Sequence, residues 1–243
     1  MTIWVCGNSH TIALKQGYED IKISKPEIKI FALGGANFDN SDFCEIDDGA
    51  VRFTNKTFDK FLKRFTGLSR ISESKDIWGF CIGSYFSRIY NNAFWRSATP
   101  SEIAGVDKRP ISKAVLLALI ERDQQFVMKF FSALNSIGVQ FFVIGGPPPS
   151  EKHAAILKGT PLETVAYIEK QARRWFKEQM SILDVEYVDV PEVAYTKKGL
   201  LKDQYKLEFR NDGKIDPHHA NREYGALMIE KIAETIQKLD TRN

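Results

Sequence analysis

The sequence predicts a three-layer α/β sandwich in which helices cover both faces of a sheet of about five parallel strands. Five short runs are almost continuously apolar, a pattern typical of strands buried on both faces. Helical patterns lie between these runs, and the alternation indicates parallel βαβ units. At 243 residues the chain is long enough to bury one sizeable core. The predicted strands cover residues 3–6, 28–33, 77–82, 139–144 and 185–188.

Four amphipathic segments are predicted to be helices because apolar residues recur in them at helical spacing. Thr160 is the expected N-cap of the third helix, with Pro161 at its first position and Glu163 in its first turn. The aromatic residues of these segments are expected in the core rather than against a cofactor. The predicted helices cover residues 57–65, 113–137, 161–183 and 221–239.

One domain is expected to span residues 1–243, since no repeat, low-complexity tract or linker interrupts the chain. The stretch 85–110 has no place in the alternation of strands and helices. It is rich in aromatic residues, asparagine, serine and arginine, and is predicted to be an insertion over the edge of the sheet.

Composition narrows the class of partner. The 34 basic and 31 acidic residues leave a net charge of only +3, which argues against nucleic acid as the main partner. No apolar run approaches the length of a membrane span, so no membrane partner is expected. No basic-then-apolar leader begins the chain, and a cytoplasmic location is therefore expected. The oligomeric state is not predicted.

Metal and cofactor chemistry are not expected. The three cysteines lack the paired spacing of a zinc site, and their odd number suits a reducing compartment. The four histidines are scattered along the sequence and form no ligand pattern. No phosphate-binding glycine motif is present, so no nucleotide cofactor is predicted.

The turn after the first predicted strand holds a candidate nucleophile, Ser9, in the sequence Gly7-Asn8-Ser9-His10. The carboxyl ends of parallel strands form the ligand-binding edge of such sheets, so Ser9 is expected at that edge. Backbone N–H groups at a helix start there could stabilise an oxyanion. Taken alone, the serine could instead be a helix N-cap.

A candidate base lies near the other end of the chain, where Asp216-Pro217-His218-His219 precedes the last predicted helix. A serine hydroxyl is a poor nucleophile unless a base takes its proton. His219 is the candidate base, and Asp216 could hold its imidazole in the required tautomer. His218 is the competing histidine. The alternative is that Asp216 is only a helix cap and His219 a surface residue.

Together these segments resemble the SGNH/GDSL hydrolases, in which a G-D-S block follows the first strand and a D-x-x-H block precedes the last helix. Gly7-Asn8-Ser9 is similar to the first block, with Asn8 where aspartate is usual. Asp216-x-x-His219 matches the second block. The resemblance implies a flavodoxin-like αβα sandwich and a catalytic triad of Ser9, His219 and Asp216.

The resemblance also implies an oxyanion hole. Its donors would be the N–H of Ser9, the N–H of Gly35 after the second strand, and a third group from a G-x-N block. This chain has Gly83-Ser84-Tyr85 at that block, so Tyr85 replaces the asparagine. Losing one such donor typically costs about 2.7–4 kcal/mol of transition-state stabilisation. The candidates for the missing donor are Ser84, Tyr85, Asn91 and Asn92.

The nucleophile turn and the insertion supply candidate substrate-binding side chains. Aromatic, asparagine and arginine side chains near an active edge suit a sugar, although they could instead pack the insertion onto the core. His153, beyond the fourth strand, is expected at the surface. The substrate-binding candidates are Asn8, Tyr85, Asn91 and Trp95.

The resulting hypothesis is a serine esterase that acts on a small acyl ester, such as an O-acetylated carbohydrate, without a metal or cofactor. An O-acyltransferase of glycan biosynthesis would use the same three residues, with a sugar hydroxyl in place of water. A third possibility is a catalytically inactive SGNH-like binding domain, which the missing third donor would suit.

Overall fold

The computed structural model describes residues 1–21, 27–34, 40–105, 108–209 and 213–240. None of the described helices is both long enough and apolar enough to cross a membrane. The strands are β1 (Ile3–Gly7), β2 (Ile28–Ala32), β3 (Cys44–Asp47), β4 (Ala50–Phe53), β5 (Ile71–Ser72), β6 (Ile77–Cys81), β7 (Ala98–Pro100), β8 (Arg109–Ile111), β9 (Phe141–Ile144) and β10 (Glu186–Val188). The α-helices are α1 (Thr11–Ile21), α2 (Lys56–Thr66), α3 (Ser87–Tyr90), α4 (Lys113–Ser136), α5 (Ala154–Leu157), α6 (Leu162–Ile182) and α7 (Arg222–Asp240).

The central sheet contains five parallel strands in the order β2–β1–β6–β9–β10. Counted along the chain by sheet strand, this order is 2-1-3-4-5, as in flavodoxin. Gly7 pairs with Ala32 of β2 on one side and with Cys81 of β6 on the other, so these three strands end level. The predicted fold class is therefore confirmed, and each predicted strand is present with one of its ends shifted by one or two residues.

The side chains of β1 alternate between two helical layers. Ile3 and Val5 belong to one buried cluster, which includes apolar residues of α1 and α7 such as Met228. Trp4 and Cys6 belong to the other buried cluster, which includes apolar residues of α2, α4 and α6. The sheet therefore lies between two helical layers, as predicted.

One predicted helix start is wrong. Helix α6 begins at Leu162, and Pro161 occupies the N-cap position without a side-chain capping bond. The N–H of Thr160, the predicted cap, instead donates to Ala155 O at 3.0 Å and closes the turn after α5. The other three predicted helices correspond to α2, α4 and α7.

A small antiparallel sheet of β3, β4 and β5, absent from the sequence prediction, precedes β6. Its first two strands are joined by the two-residue turn Asp48-Gly49, whose φ angles are 50° and 69°. Asp-Gly is a strong signal for this kind of hairpin. The sheet adds Phe53 to the core, where the Phe53 ring stacks on that of Phe130 in α4, with the ring centroids 5.6 Å apart.

The segment predicted as an insertion forms short elements between β6 and α4, including α3 and the parallel pair β7–β8. Arg88 Nε of α3 donates to Asp123 Oδ1 of α4 at 2.6 Å. The hydroxyls of Thr99 in β7 and Thr164 in α6 lie 3.1 Å apart. The segment therefore packs against the helical layer of α4 and α6.

Helices α1 and α7 cross in backbone contact at two glycines. A Cβ atom on Gly225 would lie 1.8 Å from Ala13 O, and one on Gly17 would lie 2.2 Å from Ala226 N. No side chain fits at either position, because these distances are far shorter than van der Waals contact. Since α1 follows Ser9 in the chain and α7 follows the D-x-x-H motif, the crossing joins the two candidate catalytic segments.

Candidate active site

Ser9 lies in the tight turn between β1 and α1, at the carboxyl edge of the sheet. A Cβ atom on Gly7 would lie 2.2 Å from Cys81 O, so glycine allows β1 and β6 to approach closely there. Asn8 N–H donates to the same Cys81 oxygen at 3.2 Å, and Asn8 Oδ1 accepts the N–H of His10 at 3.0 Å. Asn8 therefore shapes the turn that presents Ser9.

The loop before α7 folds around the buried carboxylate of Asp216. Asp216 Oδ1 accepts the backbone N–H groups of His218 and His219, each at 2.8 Å. Asp216 Oδ2 lies 2.8 Å from His219 Nδ1, so one carboxylate holds both the loop and the ring. His219 Nε2 lies 2.8 Å from Ser9 Oγ. The structure thus brings the three predicted residues into one hydrogen-bonded chain.

The protonation states along this chain follow from Asp216. Burial raises the pKa of its carboxyl, but the two backbone N–H groups and His219 outweigh burial and hold that pKa below its usual value. A carboxylate can only accept, so His219 Nδ1 carries the proton of the neutral ring. The lone pair on Nε2 is then free to accept the Ser9 proton.

All four histidines of the chain lie together at this edge. His10 packs against His219 with ring centroids 4.9 Å apart, and His153 Nε2 lies 3.0 Å from His218 Nδ1. The expectation that His153 is a surface residue is wrong, because its side chain is fully buried. The histidines that are scattered in sequence are clustered in space. In the part of the chain that the structure describes, no group of three or more His, Cys, Asp or Glu residues could hold a metal ion.

The predicted oxyanion donors have different outcomes. Gly35 lies outside the described residues. Ser84 is wrong as the third donor, because its hydroxyl donates to Ile144 O at 2.8 Å and accepts the N–H of Gly146 at 2.8 Å. A hydroxyl has one proton, and this bond between the β6 and β9 ends uses it. The N–H of Ser9, before α1, stays a predicted donor.

Residues of the insertion take structural positions. Trp95 is wrong as a substrate contact, because its ring is buried and its indole N–H donates to a backbone carbonyl of α3 at 2.9 Å. Asn92 Oδ1 accepts the N–H of Phe94 at 3.0 Å and caps a short 3-10 turn. The backbone N–H of Asn91 closes α3, and the predicted role of its side chain stays a prediction.

Tyr85, in place of the expected asparagine, contacts three of the clustered histidines: His10, His153 and His218. Its ring centroid is 4.1 Å from that of His10, and its hydroxyl oxygen is 3.1 Å from His153 Nε2. The same oxygen is 3.4 Å from the carbonyl oxygen of His218. Tyr85 and Asn8 both contact His10, whose ring packs on His219, and their role in binding substrate stays a prediction.

Acid is expected to destabilise the fold, because two buried histidines are neutral. Burial, aided by the nearby His218 and Lys158, lowers the pKa of His153 to about 3, and burial also lowers the pKa of His10. Unfolded histidine titrates near pH 6.5, so between about pH 6.5 and 3 the unfolded state binds more protons. For His153 alone, the free energy of unfolding should fall by about 2 kcal/mol from pH 7 to pH 5. Urea titrations at the two pH values measure this.

His153→Asn is the control for this acid effect. It removes the ionisable ring but keeps an acceptor for the N–H of Ala155, which His153 Nδ1 now binds at 3.1 Å. Its stability should therefore fall less between pH 7 and pH 5 than that of the wild type. The same pH dependence in both proteins would contradict a neutral, buried His153.

The fold is similar to those of several solved structures that match nearly all of this chain. A GDSL-like lipase from Bacteroides thetaiotaomicron gives a TM-score of 0.55 at 10% identity, covering 98% of this chain and 88% of its own. A candidate acylhydrolase from Bacteroides fragilis gives a TM-score of 0.54 at 12% identity, and the match covers 98% of this chain and 87% of that protein. A candidate SGNH hydrolase from Slackia heliotrinireducens gives a TM-score of 0.53 at 14% identity, and the match covers 97% of this chain and 98% of that protein.

The likeness is one of structure and not of sequence. No protein-family model and no curated protein sequence matches this chain. The five-stranded parallel sheet is the one that the apolar runs predicted, and Ser9 after β1 and His219 before α7 lie where the two end motifs predicted them. The predicted resemblance is confirmed at the level of the fold: the chain has the SGNH/GDSL hydrolase fold.

Proposed function

We propose that the chain is a serine acyl hydrolase that cleaves esters of small acyl groups through a triad of Ser9, His219 and Asp216. The observation that carries the proposal is the hydrogen-bonded chain from Ser9 Oγ through His219 to Asp216 Oδ2, with both links at 2.8 Å. A serine is activated only when a base can take its proton, and this geometry supplies the base. The likeness to a GDSL-like lipase supports the same class of activity.

In the acylation step, Ser9 Oγ forms a bond to the acyl carbon while His219 Nε2 takes the hydroxyl proton. The carbonyl oxygen becomes an oxyanion, and Asp216 stabilises the imidazolium without accepting its proton. Collapse of the tetrahedral intermediate breaks the ester bond. His219 gives its proton to the leaving alkoxide, which departs as an alcohol and leaves an acyl-Ser9.

Deacylation repeats this chemistry with water. His219 takes a proton from the water, whose oxygen attacks the acyl-Ser9 ester, and the acid is released as Ser9 regains its proton. The start of α1 follows Ser9, and the positive end of the helix dipole favours the oxyanion there. The N–H groups of Ser9 and Gly35 are the proposed oxyanion donors.

The proposed preference for small acyl groups rests on the side chains beside His219. His10 packs on the His219 ring, Tyr85 packs on His10, and the Tyr85 hydroxyl lies near His218, the neighbour of His219 in the chain. These are imidazole and phenol groups, whereas a long acyl chain needs a pocket lined mainly by apolar side chains. Acetyl esters of carbohydrates are small, polar substrates of the proposed kind.

A non-catalytic binding domain is the second candidate, and one observation favours it. The Ser84 hydroxyl, a candidate for the third oxyanion donor, is bonded to Ile144 O. Loss of one donor lowers kcat about 10²- to 10³-fold in other serine hydrolases, which weakens a triad without abolishing its action. The esterase therefore remains the first proposal.

A fluorophosphonate probe tests the proposal, because it reacts with an activated serine. We expect labelling of the wild type and none of Ser9→Ala, together with faster cleavage of p-nitrophenyl acetate than of the octanoate ester. A folded wild type that is neither labelled nor active would favour the binding domain. Added sugar acceptors separate hydrolysis from transfer, since transfer yields an acylated sugar in place of free acid.

A further inference from the structure

We infer that Tyr85, His153 and His218 form a positioning cluster that holds the catalytic loop in its reactive geometry, an inference that rests on the proposed function. The three side chains come from separate segments: Tyr85 follows β6, His153 precedes α5, and His218 precedes the proposed base. Tyr85 Oη lies 3.1 Å from His153 Nε2, which lies 3.0 Å from His218 Nδ1. None of the three belongs to the proposed triad.

The backbone fixes the position of the His153 proton. Its Nδ1 accepts the N–H of Ala155 at 3.1 Å, so Nδ1 carries no proton. The ring is fully buried, and burial keeps it neutral by lowering its pKa. A neutral imidazole has one proton, which must be on Nε2. His218 Nδ1, 3.0 Å away, can then only accept, so neutral His218 carries its own proton on Nε2.

Tyr85 completes the cluster as both acceptor and donor. Its oxygen and His218 Nδ1 share the single Nε2–H of His153, and the Tyr85 hydroxyl lies 3.4 Å from the carbonyl oxygen and from Nδ1 of His218. Burial raises the pKa of Tyr85, so the phenol keeps its own proton at neutral pH. The proton is used within the cluster, and Tyr85 therefore does not replace the missing oxyanion donor.

Two routes connect the cluster to the base. The first is the backbone, because His218 precedes His219 in the chain and the backbone N–H groups of both residues donate to Asp216 Oδ1. The second is a row of tilted ring contacts, in which the ring centroids of Tyr85 and His10 lie 4.1 Å apart and those of His10 and His219 lie 4.9 Å apart. Misplacing a reacting group by about 1 Å can lower a rate about 100-fold. Side chains that fix both the loop and the ring are thus expected to act on kcat.

Two variants remove bonds of the cluster and keep its surroundings. Tyr85→Phe removes only the hydroxyl. His153→Asn keeps a cap for α5, since asparagine is a preferred N-cap, but its side chain is too short to reach His218. We expect each to lower kcat for p-nitrophenyl acetate about 10- to 100-fold, with KM within about twofold of wild type. The double variant should lose little more than the worse single variant, as residues of one network do.

Tyr18→Phe is the matched control. Tyr18 Oη accepts the N–H of Ile28 at 3.1 Å, so this variant also loses one phenol hydrogen bond, but outside the cluster. We expect its kcat to match that of the wild type. Equal kcat values in Tyr85→Phe, His153→Asn and Tyr18→Phe would overturn the positioning role. Thermal melts of each variant establish that it is folded.

A measurement on the wild type tests the cluster without turnover. NMR of the imidazole nitrogens distinguishes the two tautomers, and we expect His153 and His218 both to carry their protons on Nε2. A proton on Nδ1 of His218 would overturn the cluster. If the protein shows these tautomers but cleaves no ester, the proposed function is refuted, and the positioning role is refuted with it. The hydrogen-bonded cluster itself would still be supported.

Discussion

Replacing Asp216 with asparagine is expected to lower kcat for ester cleavage about 10⁴-fold while the fold is retained. In the wild type, Asp216 Oδ1 accepts two backbone N–H groups and Oδ2 faces His219 Nδ1. The asparagine oxygen can keep the backbone bonds, which leaves its NH₂ group facing Nδ1. The ring then takes the tautomer with its proton on Nε2, which cannot accept the Ser9 proton.

Steady-state kinetics with p-nitrophenyl acetate measure this loss. Ser9→Ala and the double variant Ser9→Ala/Asp216→Asn are the controls, because the residues of a triad act as a unit. We expect the double variant to be no slower than Ser9→Ala. An Asp216→Asn protein within about tenfold of wild-type kcat would show that Asp216 does not orient His219.

Gly225→Ala is expected to destabilise the protein by about 3 kcal/mol, at the upper end of the usual range for overpacking. The new Cβ would lie 1.8 Å from the carbonyl oxygen of Ala13, a backbone atom that cannot rotate away. Helices α1 and α7 must therefore separate and open the buried layer that contains Met228. Because Ser9 and His219 precede these two helices, we also expect kcat to fall.

Thermal unfolding measures the change in stability, which at this chain length corresponds to a fall in Tm of about 6–12 °C. Gly105→Ala is the matched control, because nothing lies within 4 Å of a Cβ at that position. We expect the control to melt within about 2 °C of the wild type. If Gly225→Ala had the same Tm as Gly105→Ala, the backbone contact between α1 and α7 would be wrong.

The sheet and the hydrogen-bonded chain at Ser9 could be predicted because their signals are local. Each sheet strand is a short apolar run, and Ser9, Asp216 and His219 lie in short motifs at the end of a strand and before a helix. The hairpin at Asp48-Gly49 also carried a local signal, since this pair favours the positive φ angles observed. Its strands have only four residues each, too few for their alternation to stand out.

The histidine cluster could not be predicted, because no local pattern marks it. His153 is 68 residues from Tyr85 and 65 from His218, and it becomes their neighbour only because the loops after parallel strands meet at one edge. Ser84 and Trp95 failed as site residues for the converse reason. The sequence shows the residue type, but it does not show that a neighbouring carbonyl already takes the only proton of that side chain.

The separation of Ser9 and His219 along the chain has a consequence during synthesis of the protein. The two residues are 210 positions apart, and a ribosome adds about 5–20 residues per second. About 10–40 s therefore pass between the synthesis of Ser9, the proposed nucleophile, and that of His219, its proposed base. Through this interval the nascent chain carries the Ser9 turn without His219, which lies 2.8 Å from Ser9 Oγ in the folded protein. Under the proposed function, a chain whose translation stops before His219 is expected to be inactive towards esters.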